Sequence, residues 1–280
     1  MIHKYKWWEK IGMYLAITAF LIFILAPFVE AFLVSMRPLE AVFRAPHRFF
    51  TADMSFASYV NMWTSVPMLP RYIFNSFFIS CAVTALALAC IIPAAYSLSR
   101  FEYRFRTGIL TAFLAVNMVG AAVLIIPLYK LMLAIGLLNT YWAMIIPGAA
   151  FSVPTGIFLM RSYFLRIPKE LEEAAYVDGA SRLYTLWRVI LPVSLPGIIV
   201  VAITVFIGAY AQQFLFALTF NSIDAYNPLP MGLYQFFGRE RVVYNELMAA
   251  SLVGILPVLF VYVFLQKYIV AGLTAGAVKE

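Results

Sequence analysis

The stretch EAAYVDGASRLYTLWRVILP, residues 173–192, decides how this chain is read. It is a polar interruption between two apolar runs, at about 140–162 and 194–219, each long enough to cross a bilayer. A hydrocarbon core of ~30 Å takes about 20 helical residues. Four more runs of that length lie at about 11–36, 73–98, 108–134 and 247–269. The expectation is an all-α membrane protein of six transmembrane helices, residues 1–280 forming a single domain with one helical hairpin, 168–192, held outside the lipid.

Composition agrees with this. Hydrophobic residues make up 64% of the 280 and charged residues 12%, against about 25% charged in a soluble domain. The formal net charge of +7 is scattered through short loops, and the aromatics sit inside apolar runs. That favours a topological role over nucleic-acid binding. With the N-terminus inside, thirteen of the 20 Lys and Arg residues fall on the cytoplasmic side, the side basic loops prefer. Six spans then place both termini and the 168–192 hairpin in the cytoplasm, with long outer connections at about 37–72 and 220–246. The first apolar run, Ile11 to Met36, is too long for a cleaved leader's core of 7–15 residues, so a retained span is expected. Cys81 and Cys90 lie on one predicted helix, about 13 Å apart along its axis, and cannot pair.

Within the hairpin, Pro168 suits a helix start, and Lys169 to Asp178 reads as a short helix. Glu170, Glu172 and Glu173 favour the positive end of its dipole. Leu171, Ala174, Ala175 and Asp178 fall on one narrow stripe, and the small alanines would let another backbone approach. Gly179 is expected as a left-handed cap, and Ser181 as the cap of a second helix, Arg182 to Ile190, re-entering the membrane at Leu191-Pro192. The plain alternative is an ordinary solvated loop.

Glu173-Ala174-Ala175, Gly179, Val189 and Leu191-Pro192 resemble the EAA loop of bacterial ABC-importer permeases, with Val189 in place of the usual Ile. The tail from Gln266-Lys267-Tyr268 to Lys279, together with Asn75-Ser76, Arg166-Ile167-Pro168 and Phe214-Leu215-Phe216-Ala217-Leu218, is similar to the carbohydrate branch of the maltose-permease G-subunit type. The resemblance covers nearly the whole chain. It implies the type I importer fold, a homologous sister permease, two ATP-binding cassette subunits, and an extracytoplasmic solute-binding protein. It makes Glu173, Ala174, Ala175, Asp178, Gly179, Leu191 and Pro192 coupling residues seated on an ATPase. It implies that the tail beyond Ala271 reaches between the ATPases and that the 221–246 loop probes the binding protein. ATP and magnesium would belong to the partners; the chain has no Gly-x-x-x-x-Gly-Lys-[Ser/Thr] loop and is expected to be neither catalytic nor cofactor-binding.

Candidates for the solute pathway are the polar groups inside spans, Asn117, Gln212 and Gln213, and the rings of Tyr210, Phe214 and Tyr141, which could stack on a sugar. Related permeases commonly carry Trp-Asn-Glu or Trp-Asn-Asp where this chain has Ala211-Gln212-Gln213. The change suggests a roomier, less acidic edge suited to hydroxyls or an anionic group. The alternative is that the amides simply bond helix to helix. Glu30 and Lys130 read as interfacial or structurally paired. Two other classes of membrane protein are the alternatives. A membrane-embedded glycan or lipid transferase would need clustered acids or histidines, and His3 and His47 are the only histidines. A proton-coupled carrier would need a buried ionisable relay, and no inverted repeat is visible.

Overall fold

The computed structural model describes residues 6–43, 49–238 and 242–274, without the side chains of residues 117 and 269–274. Its helices, in chain order, are α1 (Trp7–Met36), α2 (Leu39–Val42), α3 (Ala57–Ser65), α4 (Leu69–Arg100), α5 (Arg106–Met118), α6 (Ile125–Ala134), α7 (Trp142–Phe164), α8 (Glu170–Val177), α9 (Arg182–Thr185), α10 (Leu191–Val193), α11 (Leu195–Phe220), α12 (Leu229–Tyr234), α13 (Tyr244–Gly254) and α14 (Leu256–Thr274). No strand occurs among the described residues, only an isolated bridge between Phe237 and Val242. Among the described residues five segments are long and apolar enough to cross a membrane: α1, α4, α7, α11 and the run Tyr244–Tyr268.

The expected continuous span at 108–134 is instead two shorter helices, α5 and α6, separated by a non-helical passage from Val119 to Leu124. Gly120 costs a helix about 1 kcal/mol relative to alanine. Pro127 cannot donate to the Val123 carbonyl, and its ring crowds that turn. Placed as the third residue of α6, the proline's missing N–H is harmless. The run at 247–269 is likewise interrupted at Ile255, two residues before Pro257. Pro27, Pro93, Pro147 and Pro154, by contrast, lie inside unbroken helices.

The chain divides into two compact units, Met1–Leu69 with Leu233–Ile255, and Pro70–Gly232 with Leu256–Glu280. In the first, α1 and α3 pack against α13, and Asn245 donates to the Ser58 hydroxyl at 3.1 Å. Arg37 is wholly buried, paired with Glu30 at 3.2 Å and donating to the Phe49 carbonyl at 2.8 Å. Glu30 is therefore a structural partner. Most of α1 keeps its apolar side chains exposed, Phe20, Ile22 and Phe23 among them, as expected of a surface that meets lipid or another chain.

In the second unit α11 packs along α7 and α14, and α5 packs on α7. Ile79, Val83, Ala87, Ile91 and Ala95 of α4 interlock with Met144, Ala149, Ile157 and Met160 of α7 in a single apolar core. Small residues let the backbones close up, the usual solution where lipid supplies no hydrophobic drive. At Gly197 a β-carbon would stand 2.5 Å from Tyr163 Cγ.

Candidate functional site

Two features of the second unit carry chemistry. The first is the hairpin. In α8 the first turn holds Glu170, Glu172 and Glu173. Gly179 has φ +82°, and two bonds close the helix behind it: Gly179 N–H to Tyr176 O at 3.0 Å and Ala180 N–H to Ala175 O at 2.9 Å. That pair is a Schellman motif, which needs a residue free to take the left-handed conformation. Ser181 Oγ accepts from Tyr184 N–H at 3.3 Å and starts α9. The returning helix loosens to a π-turn at Leu186–Ile190, with Leu191 N–H bonded to Leu186 O, just before Pro192, which has no N–H to continue the α-helical ladder. Leu186 and Ile190 are buried and root this limb in the core.

The hairpin's faces are unequal. Glu173, Ala174, Asp178, Gly179 and Pro192 are exposed, Ala175 and Leu191 half-buried. Of the expected stripe, Leu171, Ala174 and Asp178 face outward, while Ala175 turns toward the bundle. Beside them stand apolar side chains with no cover: Val177 is 87% exposed, Leu183 70% and Trp187 62%. Glu172 does the reverse. It is 6% exposed; Arg100 Nε meets its Oε1 at 2.6 Å, and Tyr96 donates to its Oε2 at 3.1 Å. Sequence reasoning missed this trio. Tyr96 and Arg100 sit four apart on one helix face, but nothing in the sequence tells which of three neighbouring glutamates they meet.

The second feature is a cavity of about 680 Å³ bounded by α4, α7, α11 and the Val119–Ala121 passage. Non-helical backbone at membrane depth is tolerated where it is buried or lines a cavity. The walls are small or apolar, with Ser152, Thr155, Thr204, Gln212 and Gln213 supplying the polar groups and no charged residue among them. The two glutamines differ. Gln213 is buried; it accepts from Ser76 Oγ at 2.9 Å and donates to Ser80 Oγ at 2.9 Å and Ser76 O at 3.2 Å. Ser76 Oγ also takes the Leu229 N–H at 2.8 Å. Gln213 therefore ties α11 to α4. Gln212 is exposed within the cavity. Phe214 lines the cavity; Tyr210 does not, and its ring packs against Phe206 at 6.2 Å. The Tyr141 hydroxyl donates to Asn75 Oδ1 at 2.8 Å, and its ring is wedged between Phe78 and Tyr226. Asn117 falls in α5, but its side chain lies outside the described residues, as do residues 275–280 of the tail.

This division gives a measurable contrast. Gln213→Leu is expected to lower stability by about 1 kcal/mol, the usual size of an interhelical bond in lipid, and to leave transport affinity unchanged. Gln212→Ala is expected to leave stability unchanged and to raise the KM of uptake. Thermal unfolding in detergent and uptake kinetics on the two variants check both.

Asn75 anchors the start of the 221–246 connection: its Nδ2 donates to Ala225 O at 3.0 Å and Asn227 O at 2.8 Å, and Arg71 Nε donates to Ala225 O at 2.9 Å. Asn221 and Asn227 pair side chain to side chain at 2.7 Å.

Several membrane-crossing helices, a polar hairpin and a cavity between spans define a multi-pass transport subunit. The family model for binding-protein-dependent transport system inner membrane components matches residues 3–275, and the chain belongs to that family. It is 36% identical over 234 residues to a sulfoquinovosyl glycerol transport system permease protein of Agrobacterium fabrum, covering 84% of this chain and 81% of that one. Against a trehalose/maltose transport system permease protein of Thermococcus litoralis it is 38% identical over 211 residues, covering 75% and 76%. Among solved structures it resembles a chain of a bacterial ABC transporter involved in the import of the acidic polysaccharide alginate, with TM-score 0.77, 25% identity and coverage of 95% and 99%. The protein is thus an ABC-importer permease of the inner membrane, a transport subunit and not an enzyme.

Proposed function

We propose that the chain forms, with a homologous sister permease, the membrane pathway of a sugar importer driven by two ATP-binding cassette subunits and fed by an extracytoplasmic solute-binding protein. In this reading residues 1–280 are one permease domain of six spans, the broken α5–α6 passage serving as the third, with both termini and the hairpin cytoplasmic. Glu173, Ala174, Ala175, Asp178 and Gly179 seat on an ATPase, and Leu191 and Pro192 hand its movement to α11. ATP and magnesium are bound by the partner subunits. ATP binding closes the ATPases, the hairpins move as levers, the bundle opens toward the binding protein, and hydrolysis resets it.

The observation that carries this is the hairpin's surface. A rigid, capped elbow rooted in the core presents a small-residue, acidic patch beside uncovered Val177, Leu183 and Trp187. Apolar groups exposed in a polar segment mark a surface meant to be covered. The solute class follows from the cavity and the relatives. Hydroxyls, one amide facing the cavity and the Phe214 ring suit a polyhydroxylated ring, and relatives of this chain, the sulfoquinovosyl glycerol and trehalose/maltose permeases among them, carry sugars or sugar derivatives by name. Lacking carboxylates, the wall does not repel a cargo that also bears an acidic group, as sulfoquinovosyl glycerol and alginate do.

Glu173→Lys reverses the charge of the docking patch without touching the core. Uptake of trehalose, maltose, sulfoquinovosyl glycerol and alginate oligosaccharides should be compared in cells making wild type or variant. The variant is expected at wild-type level in the membrane, with uptake of the carried sugar lost. Undiminished uptake would refute the docking role.

A further inference from the structure

We propose that Glu172 and Arg100 are positioning residues that clamp the hairpin to the end of α4, making α4 the rod by which the hairpin and the 221–229 segment move together; this rests on the hairpin being the ATPase-docking element. The direct covalent continuation of the hairpin is into α11, so a rod through α4 is a separate route.

Five contacts make up the clamp, two of them on Glu172. Glu172 and the Arg100 side chain are almost fully buried, and Arg100 Nη2 also donates to Ile167 O at 2.9 Å, fixing the segment that leads into α8. Tyr96 completes the carboxylate's shell, and its ring lies edge-on to Phe164 and Phe101. Arg182, the first residue of α9, stacks its guanidinium over Phe101 at 4.9 Å. Arg161 Nε donates to Leu98 O at 3.0 Å, binding the end of α7 to the same turn. Both limbs of the hairpin thus grip the end of α4, one through buried Glu172 and the other through Phe101 just beyond the helix, while Glu173 and Ala174 stay exposed.

At the other end of α4, about 36 Å away at 1.5 Å per residue, Asn75 and Ser76 hold Ala225, Asn227, Leu229 and Gln213. Between the two ends Ile79 and Val83 of the same helix line the cavity. One helix therefore joins the hairpin, the cavity wall and the start of the outer connection. A buried ion pair is seldom the most stable filling of a site, and its attested use is to fix one arrangement among several. Here the arrangement fixed is the angle of α8 on α4.

The test uses the whole complex, reconstituted in liposomes with the solute-binding protein purified carrying its native solute. The readout is the stimulation of ATP hydrolysis by that protein, which travels from the outer face to the ATPases. Glu172→Ala leaves a buried arginine unpaired, which by itself works against assembly, so Arg100→Met with Glu172→Leu replaces the pair by apolar groups of similar volume. In the double variant assembly and basal hydrolysis should match wild type while stimulation falls about tenfold, within the range by which network residues alter coupling. Tyr96→Phe, which removes one hydroxyl, should lose part of the stimulation. Full stimulation in the double variant, or its failure to assemble, would overturn the clamp. Glu173→Lys separates the two ideas: if it keeps wild-type stimulation the docking reading fails, whereas its loss beside a fully stimulated double variant sinks the clamp alone.

Discussion

Gly179→Val is expected to leave the protein in the membrane at its normal level and to reduce sugar uptake to background. The reasoning is local. Gly179 holds φ +82°, and nothing lies within 4 Å of where its β-carbon would stand. The substitution therefore meets no steric wall; its cost is in the backbone. A left-handed conformation costs an L-residue about 1–2 kcal/mol and a β-branched one more. The chain relieves that strain by abandoning the Schellman closure, which frees the Tyr176 and Ala175 carbonyls and lets α8 swing relative to α9. Because Leu186 and Ile190 stay rooted in the core, the bundle keeps its packing. What is lost is the fixed direction of the exposed patch. Gly179→Ala should show a smaller fall, and the order glycine, alanine, valine in uptake at constant membrane level is the signature to measure. Equal uptake in all three would remove the elbow's geometry from the mechanism.

Gly197→Ala should act on the opposite property, stability. Its β-carbon would meet Tyr163 Cγ at 2.5 Å, Cδ1 at 2.7 Å and Cβ at 3.0 Å. Those atoms are the root of the ring, so no rotation of its far end clears them; α7 and α11 must separate or the ring must leave. Overpacking of this kind costs about 1–3 kcal/mol. The midpoint of thermal unfolding of the detergent-purified protein should fall, and Tyr163→Ala in the same chain should recover much of the loss. An unchanged midpoint in the single variant would contradict the close packing of α7 on α11.

The sequence exposed those parts of the molecule that follow from length and apolarity alone. The helices α4, α7 and α11 coincide with uninterrupted apolar runs, because backbone groups in lipid must be satisfied within the helix. The glycine cap at Gly179 and the serine cap at Ser181 were legible because each needs a particular backbone freedom or side-chain acceptor. The break at Val119–Leu124 was not, since the residues around it are as apolar as any span and only Gly120 and Pro127 hint at it. Neither could a sequence divide the labour between Gln212 and Gln213. Adjacent residues on a helix point about 100° apart, and which one meets Ser76 and Ser80 depends on how α11 is rotated against α4. The pairing of Glu172 with Arg100 is of the same kind: it joins residues 72 apart through packing that periodicity does not encode.

The central proposition is that a partner ATPase covers the outward face of this hairpin. Amide hydrogen exchange of residues 170–185 measures that cover directly, compared between the permease pair alone and the complete complex with its ATP-binding cassette subunits. Slower exchange at Glu173 to Gly179 in the complete complex, with residues 195–220 unchanged, is the predicted result. Identical exchange in both preparations would mean that the hairpin stands in water and transmits nothing.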